Sequence, residues 1–185
     1  MTVRTPALAT AAREVAFGLL GTMGDRWRHT IGVAQRAAEL ASALDLDGDV
    51  LVCAAWLHDI GYADPAVVTG FHPLDGADHL AGRGWPLSIA TQVAHHSGAR
   101  FVAAARGLGE RLAAYPWVED AMSDALTYAD QTVGPRGDRV TATDRHEEML
   151  LRHGPASWNA KVDHLRGPYL AAVADRVERC LRVAL

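Results

Sequence analysis

Residues 51–61 read Leu-Val-Cys-Ala-Ala-Trp-Leu-His-Asp-Ile-Gly, and this stretch decides the fold. An apolar run entered at Asp49 leads without a break into a histidine and a carboxylate, and Gly61 then acts as a stop. The pattern predicts a short apolar helix over 49–58 that ends on His58-Asp59. Outward from it, Ala34, Ala37, Ala38, Ala41 and Leu44 recur at three and four residues, which predicts a helix over 30–44 with His29 at its entrance. Asp64-Pro65 reads as an N-cap followed by a proline in the first turn. Pro73 and Pro86 open segments 73–81 and 86–96, with Gly82 and Gly98 as stops. A helix over 117–130 begins after Pro116 and ends on Asp130. Residues 134–138, Gly-Pro-Arg-Gly-Asp, form an exposed turn. Thr143 or Asp144 caps a helix to His153. Two further segments fill 157–185, on either side of a break at Gly167-Pro168.

Strand signals are nearly absent, so the expected fold is an all-α helical bundle. The chain of 185 residues is read as one domain over 1–185, because the segment after the one candidate boundary near 133–142 is too short for a core of its own. Hydrophobic residues make up 49% and charged residues 22%, the balance of an ordinary globular domain. The formal net charge of -4 and the scattered basic residues argue against a nucleic-acid partner. Residues 1–21 are read as a helix of the fold and not as a signal peptide, since Arg13 and Glu14 interrupt the apolar stretch. No apolar run reaches the length of a membrane span. Cys53 and Cys180 sit far apart in apolar segments and read as buried thiols. A cytoplasmic protein is expected.

The chemistry gathers at helix ends. His29, His58, Asp59, one of His95 or His96, and Asp130 offer imidazole nitrogen and carboxylate oxygen, with no thiolate. That donor mix fits Fe, Mn, Co, Ni, Mg or a catalytic Zn. Neighbouring side chains on a regular helix diverge by about 100°. At a helix end the last turn can tighten, and both His58 and Asp59 can face one ion. Four protein ligands leave positions open for water, whose pKa falls toward neutrality. This is the pattern of a hydrolytic site, not of a closed structural one.

His29, His58-Asp59-Ile60-Gly61 and Asp130 together resemble the H…HD…D pattern of the HD-domain metal-dependent phosphohydrolases. The resemblance covers roughly residues 25–135, and Tyr128-Ala129-Asp130 resembles the last metal-binding helix of that family. It implies an all-α bundle that hydrolyses phosphate esters, usually nucleotide-like, with His29, His58, Asp59 and Asp130 as ligands of a divalent metal. His72 and His95-His96 extend the likeness to relatives that hold two ions, similar to those that split diadenosine tetraphosphate. That resemblance implies one or two ions, with Asp59, His72 and His96 as catalytic residues and Asp59 able to bridge. Tyr62 stands where many two-metal relatives carry lysine, which weakens the likeness to the cyclic-dinucleotide enzymes. No acidic residue follows Asp59 directly, and Asp64 reads as a cap.

A phosphate needs positive charge, and Arg26, Arg28 and Arg100 are the nearby candidates, with Arg28 and Arg100 expected to bind substrate. His79, His146, His153 and His164 read as ordinary exposed or helix-end histidines. The tryptophans, Trp27 and Trp85 included, read as packing residues. The expected partner is a small-molecule phosphate ester, with no nucleic acid and no membrane, and the oligomeric state stays open. Two alternatives come from other classes: a di-iron oxygenase built on the same ligands, and a non-catalytic nucleotide sensor.

Overall fold

The apolar run at 51–57 lies within a helix, α3 (Gly48–Leu57), in the computed structural model, which describes residues 7–183. Its cap is Asp47, whose carboxylate accepts from the backbone N–H of Asp49 at 3.0 Å and of Val50 at 3.2 Å. A cap of this kind contributes about 1 kcal/mol. Leu51, Cys53, Ala54, Ala55 and Leu57 are all fully buried, so α3 runs through the middle of the bundle. Around it pack α1 (Ala7–Leu20), α2 (Asp25–Ala43), α5 (Leu87–His95) and α8 (Ala121–Gln131). The contacts are made largely by alanines, among them Ala16, Ala37, Ala90, Ala94 and Ala125, each without exposed surface. Small side chains bring helix axes close, so a polar group at one helix end can reach another helix. Among the described residues there is no strand, only an isolated bridge between Val133 and Arg139 that closes the 134–138 turn. The fold is an all-α helical bundle.

Several boundaries differ from the sequence reading. Helix α2 begins at Asp25, so His29 stands inside it and not at its entrance. Asp64-Pro65 caps no helix; it lies in a turn, where the Ala66 N–H donates to Ala63 O at 2.8 Å. Helix α4 (His72–Ala81) and α5 match their proline signals, but the chain then makes a 3-10 turn over His96–Gly98, with Gly98 at φ 69°. Two short helices come next, α6 (Ala99–Ala105) and α7 (Gly109–Leu112), which no strong periodicity marks. Helix α8 starts at Ala121, four residues later than expected, because Asp120 and Ser123 form a reciprocal cap. Thr141 caps α9 (Ala142–His153).

After α10 (Trp158–Lys161), α11 (Asp163–Val183) passes through Gly167-Pro168 without the expected break. Pro168 forfeits one backbone donor, near the start of the helix. Burial of Tyr169, Leu170, Val173 and Val177, with α11 against α8, outweighs that loss. Arg176 adds a two-pronged pair to Asp124, at 2.7 and 2.8 Å. Cys180, expected to be buried, is exposed, whereas Cys53 is buried. The expected helices over 1–21 and 157–185 extend at their outer ends beyond the described residues.

Gly61 does more than stop α3. It sits in the 3-10 turn Ile60–Tyr62, against the first turn of α4. A Cβ placed there would lie 2.0 Å from His72 O and 2.7 Å from Gly76 N, both backbone atoms. The two segments therefore touch backbone to backbone, and that contact fixes His72 beside Asp59. Gly61→Ala should destabilise the protein by about 1–3 kcal/mol in chemical denaturation and weaken metal retention, because the α4 backbone must move. A stability within about 0.5 kcal/mol of the parent would show that the contact is not a constraint.

Candidate metal centre

Helix α2 carries Arg26 and His29 on one face, three residues apart. His29 Nε2 lies 2.9 Å from Asp130 Oδ1, which α8 brings in at its C-terminal end. His29 Nδ1 faces Gly134 O at 3.1 Å. The approach is possible because Gly32 leaves room: a Cβ there would stand 2.7 Å from Val133 Cγ1. At the end of α3, His58 is fully buried, its Nδ1 bonded to Ala55 O at 2.7 Å. Its Nε2 has no hydrogen-bond partner. That nitrogen lies 3.4 Å from Asp59 Oδ2 and 4.0 Å from Asp130 Oδ1. His29, His58 and Asp130 each offer one donor atom, all within 4.8 Å of one another.

A second group of three lies beside the first. Asp59, His72 and His96 also bring donor atoms within 4.8 Å of one another. His72 Nε2 stands 3.4 Å from Asp59 Oδ1 and 3.2 Å from His96 Nε2. His96 Nδ1 is bonded to Val93 O at 2.7 Å. In His29, His58 and His96 alike, Nδ1 faces a main-chain carbonyl. As an N–H donor, each such nitrogen fixes its ring and leaves Nε2 free as a ligand. The unpartnered His58 Nε2 and the all-imidazole and carboxylate donors fit a divalent ion.

Asp130 is steadied from its other side. Its Oδ2 accepts from Ser97 Oγ and, at 3.1 Å, from Gln131 Nε2. Ser97 follows His96 directly and has φ 52°, a left-handed conformation that few non-glycine residues adopt. Thr127 Oγ1 accepts from its backbone N–H at 3.1 Å, and Arg166 Nε donates to its carbonyl at 2.8 Å. These bonds hold the kink that turns His96 inward and His95 away.

His95, the other candidate of that pair, has Nε2 at 2.7 Å from Tyr115 O and lies in neither donor group. Arg28 and Arg100, expected as phosphate ligands, stand elsewhere. Arg28 is exposed and paired with Asp25 at 2.6 Å. Arg100 is packed among the rings of Phe101, Trp117 and Tyr169, its guanidinium 4.0 Å from the Trp117 ring centre. Arg26 reaches the site instead. It donates to Asp59 Oδ2 at 2.5 Å and lies 3.8 Å over the ring of Tyr62, which stacks on His72. Trp27 packs between Phe17 and Trp56. His79 is a helix-end histidine, buried in the last turn of α4.

The donors open into a cleft of about 530 Å³, solvent at its mouth included. Arg26, Arg145, Arg152 and Arg166 line it, together with His153 and Asn159. Three of these arginines come from the C-terminal helices and carry no signal in the sequence. No local pattern marks an arginine as folding back onto a site far away in the chain. Only Arg26 carries one, its spacing of three from His29.

Residues 26–132, more than half of the chain, match the HD domain family. The chain belongs to that family. Neither curated proteins nor solved structures gave a match. The HD match ends at Asp130-Gln131-Thr132, so the family region holds all six donors, and helices α9–α11 lie outside it.

Charge inside this HD site is balanced against burial. Burial opposes a charged Asp59, yet Arg26, then His58 and His72, hold its carboxyl well below the usual range. Burial likewise opposes a charged Asp130, which His29 and His58 keep ionised. For His58, burial is outweighed by Asp59 and Asp130, which push its pKa up to about 9. His72 is pulled well below 6.5 by burial, despite Asp59, and His96 is lowered by burial and by His58. These shifts act on stability in opposite directions. His58 stabilises the metal-free fold below the ordinary histidine value near 6.5, and this is lost as pH rises toward 9. His72 and His96 resist protonation when folded, so their contribution is lost as pH falls below 6.5. The denaturation midpoint of the metal-free protein should therefore peak near pH 6.5–7 and decline on both sides. A midpoint that rises steadily from pH 6.5 to 9 would contradict these assignments.

Proposed function

We propose that the protein is a metal-dependent phosphohydrolase that cleaves a phosphate ester of a nucleotide or dinucleotide with water as the nucleophile. The observation that carries this reading is the pair of three-donor groups at the floor of an arginine-lined cleft. His29, His58 and Asp130 would hold one divalent ion, and Asp59, His72 and His96 a second. Asp59 stands between them, with Oδ2 toward His58 and Oδ1 toward His72. When bound, such ions lower the pKa of water and neutralise charge on a phosphoryl group.

The chain's own residues supply the rest. Arg26 orients Asp59 and presents its cation to the cleft. Arg166, fixed by Ser97 O, lines the same space. Two guanidinium groups beside the donors favour a phosphoryl substrate. Phosphate release, as against oxygen consumption, separates this reading from the di-iron oxygenase alternative. A complete set of buried donors weighs against a non-catalytic sensor.

Nucleotides and dinucleotides should be hydrolysed when Mn, Co or Fe is supplied, and a chelator should stop turnover. Asp59→Ala, which removes the carboxylate between the two groups, should lose at least one bound ion and at least ~100-fold of the activity while keeping its helix content by circular dichroism. If Asp59→Ala keeps both metal and turnover, or if the parent turns over fully after verified metal removal, the reading is wrong.

A further inference from the structure

Beside the cleft lies a second hollow, lined by Met23, Asp25, Pro135 and His29 and by three of the same arginines, Arg26, Arg145 and Arg152. Those three side chains, with His29, line both spaces and so stand at the boundary between them. Arg145 is 7% exposed, yet its Nε has no hydrogen-bond partner. Among the described residues its one ion pair is with Glu148, which Arg152 shares through Nε at 2.7 Å. One carboxylate thus serves two guanidinium groups. Arg26 is matched by Asp59, and Asp25 is engaged by Arg28. Arg145 and Arg152 are left with one carboxylate between them, and Arg145 with an unsatisfied buried N–H. Burying an unmatched cation is costly, and an anion bound beside these arginines relieves that cost. Both arginines lie on α9, outside residues 26–132.

We infer that Arg145 and Arg152 form a second phosphate subsite, so that the substrate carries a chain of at least two linked phosphoryl groups. One phosphoryl group would sit at the donor groups and the next against these arginines. A phosphomonoester with no further anion would leave the subsite empty. The inference rests on the hydrolase reading, which metal-dependent turnover of nucleotides and dinucleotides tests separately.

The subsite itself is tested by binding, without turnover. Calorimetry would compare methylphosphonate with methylenediphosphonate, whose P–C–P bridge resists hydrolysis, on Mn-loaded protein with metal content checked afterwards. Arg152→Ala is the deciding variant, because its side chain is 39% exposed and the fold should tolerate the change. Its affinity for methylenediphosphonate should drop about tenfold, with that for methylphosphonate changed less than about twofold. Arg145→Gln should act the same way if circular dichroism shows it folded. Equal losses for both ligands in Arg152→Ala, or no loss for either, would overturn the subsite, whatever the nucleotide turnover assay shows.

Discussion

Two carboxylates, Asp59 and Asp130, are buried in the interior of a helical bundle, at 3% and 7% exposure. A buried charge must be compensated, and most of the arrangement around the cleft serves that need. Arg26 and a ring of imidazoles surround the two groups. Ser97 adopts a left-handed conformation that lets its hydroxyl reach Asp130. The imidazoles are in turn oriented by the carbonyls of Ala55, Val93 and Gly134. Close approach of the helices depends on alanines in α1, α2, α3, α5 and α8 and on glycines at positions 32 and 61. Packing and polar satisfaction are thus one constraint, which gives Gly61 its weight.

Much of this is legible in the sequence because residue type and helix periodicity suffice for it. His58-Asp59 and Asp130 stand out as candidate donors at helix ends, and His29 as a further one, although α2 begins before it, at Asp25. His72 beside Pro73 and the His95-His96 pair supply the rest. Which of the two histidines turns inward is not legible, since it depends on the kink at Ser97. Arg26 and Arg28 look alike in the sequence, but the phase of α2 puts Arg26 on the His29 face and Arg28 in solvent. Proline misleads at two places. Pro65 makes a turn with no helix after it, and Pro168 is carried inside α11 by tertiary packing.

The part of the chain beyond the family match gives the site its outer wall. Helix α9 contributes Arg145 and Arg152, and α11 contributes Arg166, which also braces Ser97. The donors are set by the family region, whereas the cations that would read a substrate come largely from these helices. Arg166 links the two parts, since the Ser97 that it braces holds the donor Asp130.

Two ions held by two donor groups, with Asp59 between them, are the core of the proposed chemistry. The most direct measurement is elemental analysis of protein purified without chelator, beside the His72→Ala variant. Nearly two ions per chain are expected in the parent and about one in His72→Ala, because the His29, His58 and Asp130 group stays intact. One ion per chain in the parent, unchanged by His72→Ala and not raised by added Fe or Mn, would contradict the two-ion site.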